Sequence, residues 1–472
     1  MHFSKLKILT LALIVSLSAC SSSEGPDMPD EQKSKENNLY QISLAAADNP
    51  GLGEGHVNSV LIGQIVYLTI PESWGTKKVV PTLKVSEKAS VRIDGVMVDN
   101  GDAVDLLNAK SLEVIAEDGS IRNYDLLVRS GNTLVDGKVY NFMRTYNVPA
   151  VGFAVSKNEN IVYAAGYGYA DPRNRQRADQ NTLFRIASLS KQHTAIAVMQ
   201  LVERGKLSLD ATVFGSDGIL ADEFGEVVGA KASVTVRHLL QHTSGWTSSP
   251  EDPMFPNSNS PYEGKSLNER VKYVLANVPQ TSAPGSMFSY YNLGYGILGM
   301  IVEKVSGMDY ESYLKENVYK PAGITDIHVG GDKAHKQENE VIYEASGYAP
   351  YANDMEMLKA AGGLIASAQE LMKLANCIDY GANVPDILSK TSLDEMYTPS
   401  KAANYGLGWY IGHSVFTDWA SFHSGALACT GTIWSRGNNG IHGALLTNCQ
   451  PFSTNYDNDL FVLLHDLEKL FE

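Results

Sequence analysis

The sequence predicts an α/β (α+β) fold: one antiparallel sheet, flanked by helices and carrying a helical subdomain, preceded by a small all-β sandwich. Three observations predict it. Runs rich in β-branched residues fill 38–130 between Asp-Gly turn signals. Strand-like runs recur at 150–156 and 161–170, then again near the end at 405–411, 419–428, 430–436 and 441–448. Between these sets, 230–320 reads as helix and loop, so both ends build one sheet around a helical insert.

The chain has 472 residues, too long for one core, and no internal repeat is apparent. Its net charge of -15 argues against nucleic acid, which needs a basic face. Lys5 and Lys7 precede the apolar run Ile8 to Leu17, which is too short to span a bilayer, so 1–19 reads as a signal peptide. It ends in Leu17-Ser18-Ala19-Cys20, which resembles a bacterial lipobox; the resemblance implies a lipid anchor on Cys20. By similarity to Gram-negative lipoproteins, Ser21 in place of Asp implies the outer membrane. Residues 20–37 are polar and charged and read as a disordered tether. The region 38–130 has Asn58 to Ile62, Ile65 to Ile70 and a hairpin from Leu112 to Val128 as its clearest strands. About seven short strands make a small sandwich. It resembles the immunoglobulin-like modules of Bacteroidetes-type surface lipoproteins, with a spacer or docking role expected.

The stretch Phe184-Arg185-Ile186-Ala187-Ser188-Leu189-Ser190-Lys191 organises the region 133–472. A helix beginning at Ser188 puts Ser188 and Lys191 on one face, about 5–6 Å apart at Cβ. The following run, Ala195 to Val202, is apolar nearly all round and predicts a buried helix closed by Gly205. S-x-x-K alone is a weak signal, since Ser4 to Lys7 matches it too. The second element is Tyr290-x-Asn292, which Tyr351-x-Asn353 and Tyr456-x-Asn458 also match. The third is His423-Ser424-Gly425 on a late strand.

These elements, in this order, resemble the class C-like branch of the serine β-lactamase and penicillin-binding-protein superfamily. The connecting phrases match as well: Arg237 to Gly245, Pro321-Ala322-Gly323-Ile324, Gly362-Gly363-Leu364 and Tyr405-Gly406-Leu407-Gly408-Trp409. Context selects Tyr290 over the other two tyrosines. The resemblance covers 133–472 and implies a Ser188 nucleophile with Lys191 and Tyr290 as one proton-transfer unit. It places Asn292 on a substrate carbonyl. It also places the N–H groups of Ser188 and Ala426 on the oxyanion, and Gly425 where a substrate backbone needs room. His423 stands where β-lactamases usually carry the Lys of K-T-G, and is expected to orient Tyr290 or bind substrate. That departure counts against β-lactam hydrolysis as the main task.

Three cysteines follow Cys20: Cys377, Cys429 and Cys449. A three-residue hairpin loop Asn438-Asn439-Gly440 would set 429 opposite 449, where a bridge is possible; a two-residue loop would not. His238 and His242 lack the Glu of H-E-x-x-H and read as structural, so no metal is expected, nor any cofactor. Trp409 reads as core or pocket wall. The loops 246–266 and 329–356 are expected to hold substrate specificity, the first as a rim whose loss would alter substrate choice more than stability. Three functions stay open: an exported, lipid-anchored hydrolase of D-amino-acid-type peptides or esters; a β-lactam hydrolase or penicillin-binding protein; and a non-catalytic sensing lipoprotein. The first takes a small peptide or ester as its partner, with the membrane reached through the lipid anchor.

Overall fold

The computed structural model describes residues 33–472 except 53–55, 75–77, 345–346, 348 and 452–454. The stretch read as a signal peptide, Cys20 and most of the stretch read as a tether lie outside the described residues. Among the described residues, no helix is long and apolar enough to cross a membrane.

The N-terminal β region holds two sheets around one core. Leu39, Ile42 and Leu44 of a three-stranded sheet face Val66, Leu68, Leu112 and Leu126 of a six-stranded one. It has nine strands among the described residues rather than about seven, because several are only three residues long. Ile65–Pro71 runs parallel to Ile121–Gly131, a long-range pairing that no turn residue announces.

The second region is built on a seven-stranded antiparallel sheet. Its five long strands are β1 (Ala150–Lys157), β2 (Asn160–Asp171), β3 (Trp419–Leu427), β4 (Thr430–Gly437) and β5 (Ile441–Thr447). Their order is β2-β1-β5-β4-β3, with Val151 opposite Thr447, so the sheet joins both ends of the region as expected. Side chains alternate across it. Ile433 and Leu445 meet α1 (Thr133–Tyr146) and α4 (Tyr456–Glu468), whereas Trp434, Ala444 and Leu446 meet α2 (Ser190–Glu203) and the helical subdomain. A further helix, α3 (Asn292–Ser306), packs beside α2.

Four expectations change. The helix starts at Ser190, and Ser188 lies in a 3-10 turn, Ala187–Leu189, before it. Residues three apart eclipse in such a turn, so the Ser188–Lys191 relation survives. Only Tyr410–Ile411 of 405–411 is strand. The hairpin sets Gly431 opposite Thr447, the register the three-residue loop requires, yet Cys429 and Cys449 are free thiols. Cys429 packs in the core on the α2 side of the sheet and Cys449 against the core on the α1 side. Lastly, loop 246–266 is no loose rim: Trp246, Met254 and Tyr262 are buried in the main core, so its deletion would cost stability.

The two regions are joined by a buried carboxylate. Asp136 of α1, fully buried, accepts from Thr69 Oγ1 at 2.7 Å and lies 3.4 Å from Arg129 Nε, both in the β region. Its other oxygen accepts from Tyr163 at 2.8 Å and Tyr167 at 2.7 Å, both on β2. Tyr67 stacks near Tyr140 with ring centroids 5.0 Å apart.

Candidate active site

Ser188 sits on a strained turn. Ala187, a non-glycine residue, holds φ +48, a conformation that costs roughly 1–2 kcal/mol. Bonds from three elements hold it. Ile186 N donates to Leu364 O at 3.0 Å, Ser190 Oγ donates to Ala187 O at 2.8 Å, and Thr432 Oγ1 of β4 donates to Ile186 O at 3.0 Å. Gly425 of β3 lets the sheet close onto this turn. A Cβ there would lie 2.4 Å from Thr432 Oγ1 and 2.7 Å from Ile186 O. The glycine is thus required by the protein's own packing.

Lys191 points from the first turn of α2 into the same space. Its Nζ lies 3.2 Å from Ser188 Oγ and 2.8 Å from Asn292 Oδ1, and it also donates to Ala361 O. Burial pushes its pKa down to about 7, against an opposing pull from the Asp252 carboxylate. A neutral amine has two hydrogens. The Asn292 and Ala361 oxygens can take both, which leaves the lone pair toward Ser188.

Tyr290 and Asn292 enter from the start of α3. Tyr290 lies with its ring centroid 4.9 Å from Lys191 Nζ. Its hydroxyl makes no hydrogen bond of good geometry, although Ser188 is near enough to pull its pKa down against the effect of burial. Burial outweighs that and raises the phenol well above its usual value, so Tyr290 stays protonated. His242, a left-handed residue at φ +54, stacks on Tyr290 with centroids 4.2 Å apart, and its Nδ1 accepts from Tyr291 N at 3.1 Å. Burial, with Lys191 nearby, depresses its pKa well below normal. His238 is part of a helix cap, with Nδ1 accepting from Thr235 N at 3.2 Å.

His423, expected to orient Tyr290 or to bind substrate, makes its recorded hydrogen bonds to Ser424 and Tyr405. Its Nδ1 meets Ser424 O at 2.6 Å, and a carbonyl only accepts, so that nitrogen carries the proton. Its Nε2 then accepts from Tyr405 at 3.1 Å. The ring centroid is 6.1 Å from that of Tyr290. Burial, then Lys191, pushes its pKa down to about 3, so it is neutral. Ala426, next to Gly425, is the exposed residue on this strand.

The competing tyrosines lie elsewhere: Tyr351 stacks near Arg185 at 5.1 Å, and Tyr456 donates to Cys449 O at 2.7 Å. Trp409 is fully buried in the core, its centroid 4.8 Å from that of Trp434. Among the described residues no group of three or more His, Cys, Asp or Glu is placed to hold a metal ion. Sequence reasoning missed Asp252, whose Oδ2 accepts from Asn292 Nδ2 at 2.8 Å. It also missed the Tyr405 and Ala361 contacts. Both residues lie in or beside phrases already singled out; for Asp252, one of three acids in loop 246–266, no signal set it apart.

Residues 135–466 match the family model described as Beta-lactamase. The chain belongs to that family. It is 29% identical over 286 residues to the putative penicillin-binding protein PbpX of Bacillus subtilis, covering 58% of this chain and 65% of that protein. The match therefore spans just under two-thirds of that relative's length. The octameric penicillin-binding protein homologue from Pyrococcus abyssi superposes with a TM-score of 0.57 at 26% identity, covering 70% of this chain and 76% of that one. The D-amino acid amidase from Ochrobactrum anthropi SV3 shares the fold, with a TM-score of 0.58 at 22% identity and coverage of 71% and 97%.

Proposed function

We propose that this chain is an exported, lipid-anchored serine hydrolase that acts through an acyl-enzyme on peptides of D-amino-acid type or on esters. The observation that carries the reading is the Lys191 amine, held near neutrality at about 7 and placed 3.2 Å from the Ser188 hydroxyl. Lys191 takes the Ser188 proton as Oγ attacks the substrate carbonyl carbon. The oxyanion is held by the N–H groups of Ser188 and Ala426. The proton then passes from Lys191 through the Tyr290 phenol to the leaving amine or alcohol. Water, activated by the same pair, attacks the acyl-enzyme and restores Ser188.

Relatives named as penicillin-binding proteins and a D-amino acid amidase of the same fold support this substrate class. His423, neutral and bonded to Tyr405, offers no cation to a β-lactam carboxylate, which favours amides and esters. The sequence Leu17-Ser18-Ala19-Cys20 supports an anchor on Cys20 and an outer-membrane location.

The test is hydrolysis of a short-chain nitrophenyl ester by wild type and Ser188→Ala, with intact mass followed during turnover. An acyl mass present in wild type and lost with activity in the variant supports the reading. Equal inertness of both proteins overturns it in favour of a sensing role.

A further inference from the structure

The Asn292 amide is committed at both ends. Its Oδ1 accepts from Lys191 at 2.8 Å, and its Nδ2 donates to Asp252 Oδ2 at 2.8 Å. A substrate carrying an acylated amine would bring a carbonyl oxygen toward Asn292 and meet the Asp252 carboxylate beside it. A substrate carrying a free ammonium would meet a complementary charge.

Asp252 is able to take that ammonium. Its Oδ1 accepts from Met254 N at 2.9 Å, which leaves lone pairs free on both oxygens, and the residue is partly exposed. Among the described residues it forms no ion pair. The basic side chains of the site are otherwise engaged. Lys191 is buried among oxygen acceptors, and Arg270 donates to Lys265 O at 2.9 Å and Pro253 O at 2.6 Å. His242 and His423 are turned to Tyr291 and Tyr405. The ring of Tyr290 and the Ser188 hydroxyl complete the surroundings of Lys191 without adding charge. Phe255, whose N–H donates to the Asp252 backbone carbonyl at 3.0 Å, packs both on the main core and on a small buried apolar cluster of Ala187, Met355 and Leu427. Phe255 and Met355 come from 246–266 and 329–356, and Ala187 adjoins Ser188. The carboxylate thus reaches the reacting centre through Asn292, and the apolar cluster reaches it through Ala187, the chain neighbour of Ser188.

We propose that Asp252 anchors the substrate ammonium, so that the site selects amides or esters of apolar α-amino acids with a free amine over N-acylated ones. This rests on the hydrolase reading above and names its substrate class.

The experiment uses the full chain and three probes: phenylalanine nitroanilide in both enantiomers, the N-acetyl derivative of each, and nitrophenyl acetate. Wild type should favour the free amine in kcat/KM by about ten- to hundredfold, the worth of one charge-assisted contact. Asp252→Asn should collapse that ratio toward one, mainly through KM, and Asp252→Glu should restore part of it. The preference should fade as pH rises past about 8, where the α-amine loses its charge. Equal rates on free and acetylated substrate in wild type overturn the proposal. So does a parallel loss on both in Asp252→Asn, which would make Asp252 only a support for Asn292. Nitrophenyl acetate separates the two levels: a wild type inert to it refutes the hydrolase reading, whereas one that turns it over without amine preference refutes the anchor alone.

Discussion

The imidazole of His242 lies on the ring of Tyr290, centroids 4.2 Å apart and planes inclined by 33°. Its Nδ1 fixes Tyr291 N at the entrance to α3, and its burial keeps it uncharged. It holds the phenol without titrating.

His242→Phe should therefore keep the stack but lose the Tyr291 bond. His242→Ala should lose both and open a cavity costing about 3 kcal/mol. We expect kcat to fall modestly in the first and at least tenfold in the second, with the pH midpoint of activity unchanged in each. Steady-state rates across pH, beside melting curves, check this.

Lys191 has to be neutral to accept a proton, and burial sets its pKa near 7. Activity on a non-titrating ester should rise as pH increases through about 7 and then level off. The Tyr290 phenol, raised well above its normal value, should add no alkaline limb. Lys191→Arg, whose guanidinium stays charged, should abolish turnover at every pH. A pH-rate profile with a midpoint below 5 would contradict the assignment.

Glu468 of α4 is fully buried on the sheet, accepting from Trp419 Nε1 at 2.7 Å and bonded to Ser435. Burial pushes its pKa up to about 8 from the ordinary 4.5. Between those values the folded protein holds a proton that the unfolded chain has released, so this residue lowers stability as pH rises. The slope reaches at most about 1.4 kcal/mol per pH unit and vanishes above about 8. Glu468→Gln keeps an acceptor for Trp419. Its Tm should exceed that of wild type by a margin that grows from pH 5 to 8. An unchanged difference across that range would count against a protonated Glu468.

Removing the β region should damage more than a tether. Residues 133–472 alone would leave Asp136 without Thr69 and Arg129, and the Tyr140 face without Tyr67. In the full chain, Asp136→Ala should cost about 3–5 kcal/mol, as breaking a buried pair does. Chemical denaturation measures it. The midpoint of an isolated 133–472 fragment should drop comparably, so its activity would report on folding as well as on catalysis.

What could be read in the sequence was local. Ser188-x-x-Lys191, Tyr290-x-Asn292 and His423-x-Gly425 each fit within one turn or strand, and Trp419–Leu427 alternates along its length. What could not be read depended on approach in space. Asp252 reaches Asn292 across 40 residues of chain. His423 turns to Tyr405 because its own Ser424 carbonyl orients the ring, which spacing does not encode. The recorded ladder ends at the Gly431–Thr447 pair, and Cys429 lies beyond it in a left-handed turn, φ +59. The parallel pairing of Ile65–Pro71 with Ile121–Gly131 has no local signal at all.

The pairing of Val151 with Thr447 also sets an order of events during synthesis. At about 5–20 residues per second, the edge of β1 waits roughly 15–60 s for β5 to be made. Through that interval the β1–β2 hairpin presents an open row of amides and carbonyls, the part of the nascent chain most in need of shielding. The strands that press Gly425 and Thr432 onto the Ile186–Ala187 turn are equally late, so Ser188 is locked into place only when translation is almost complete. A ribosome-bound chain truncated before β3 should carry the nucleophile and its lysine and still be catalytically silent.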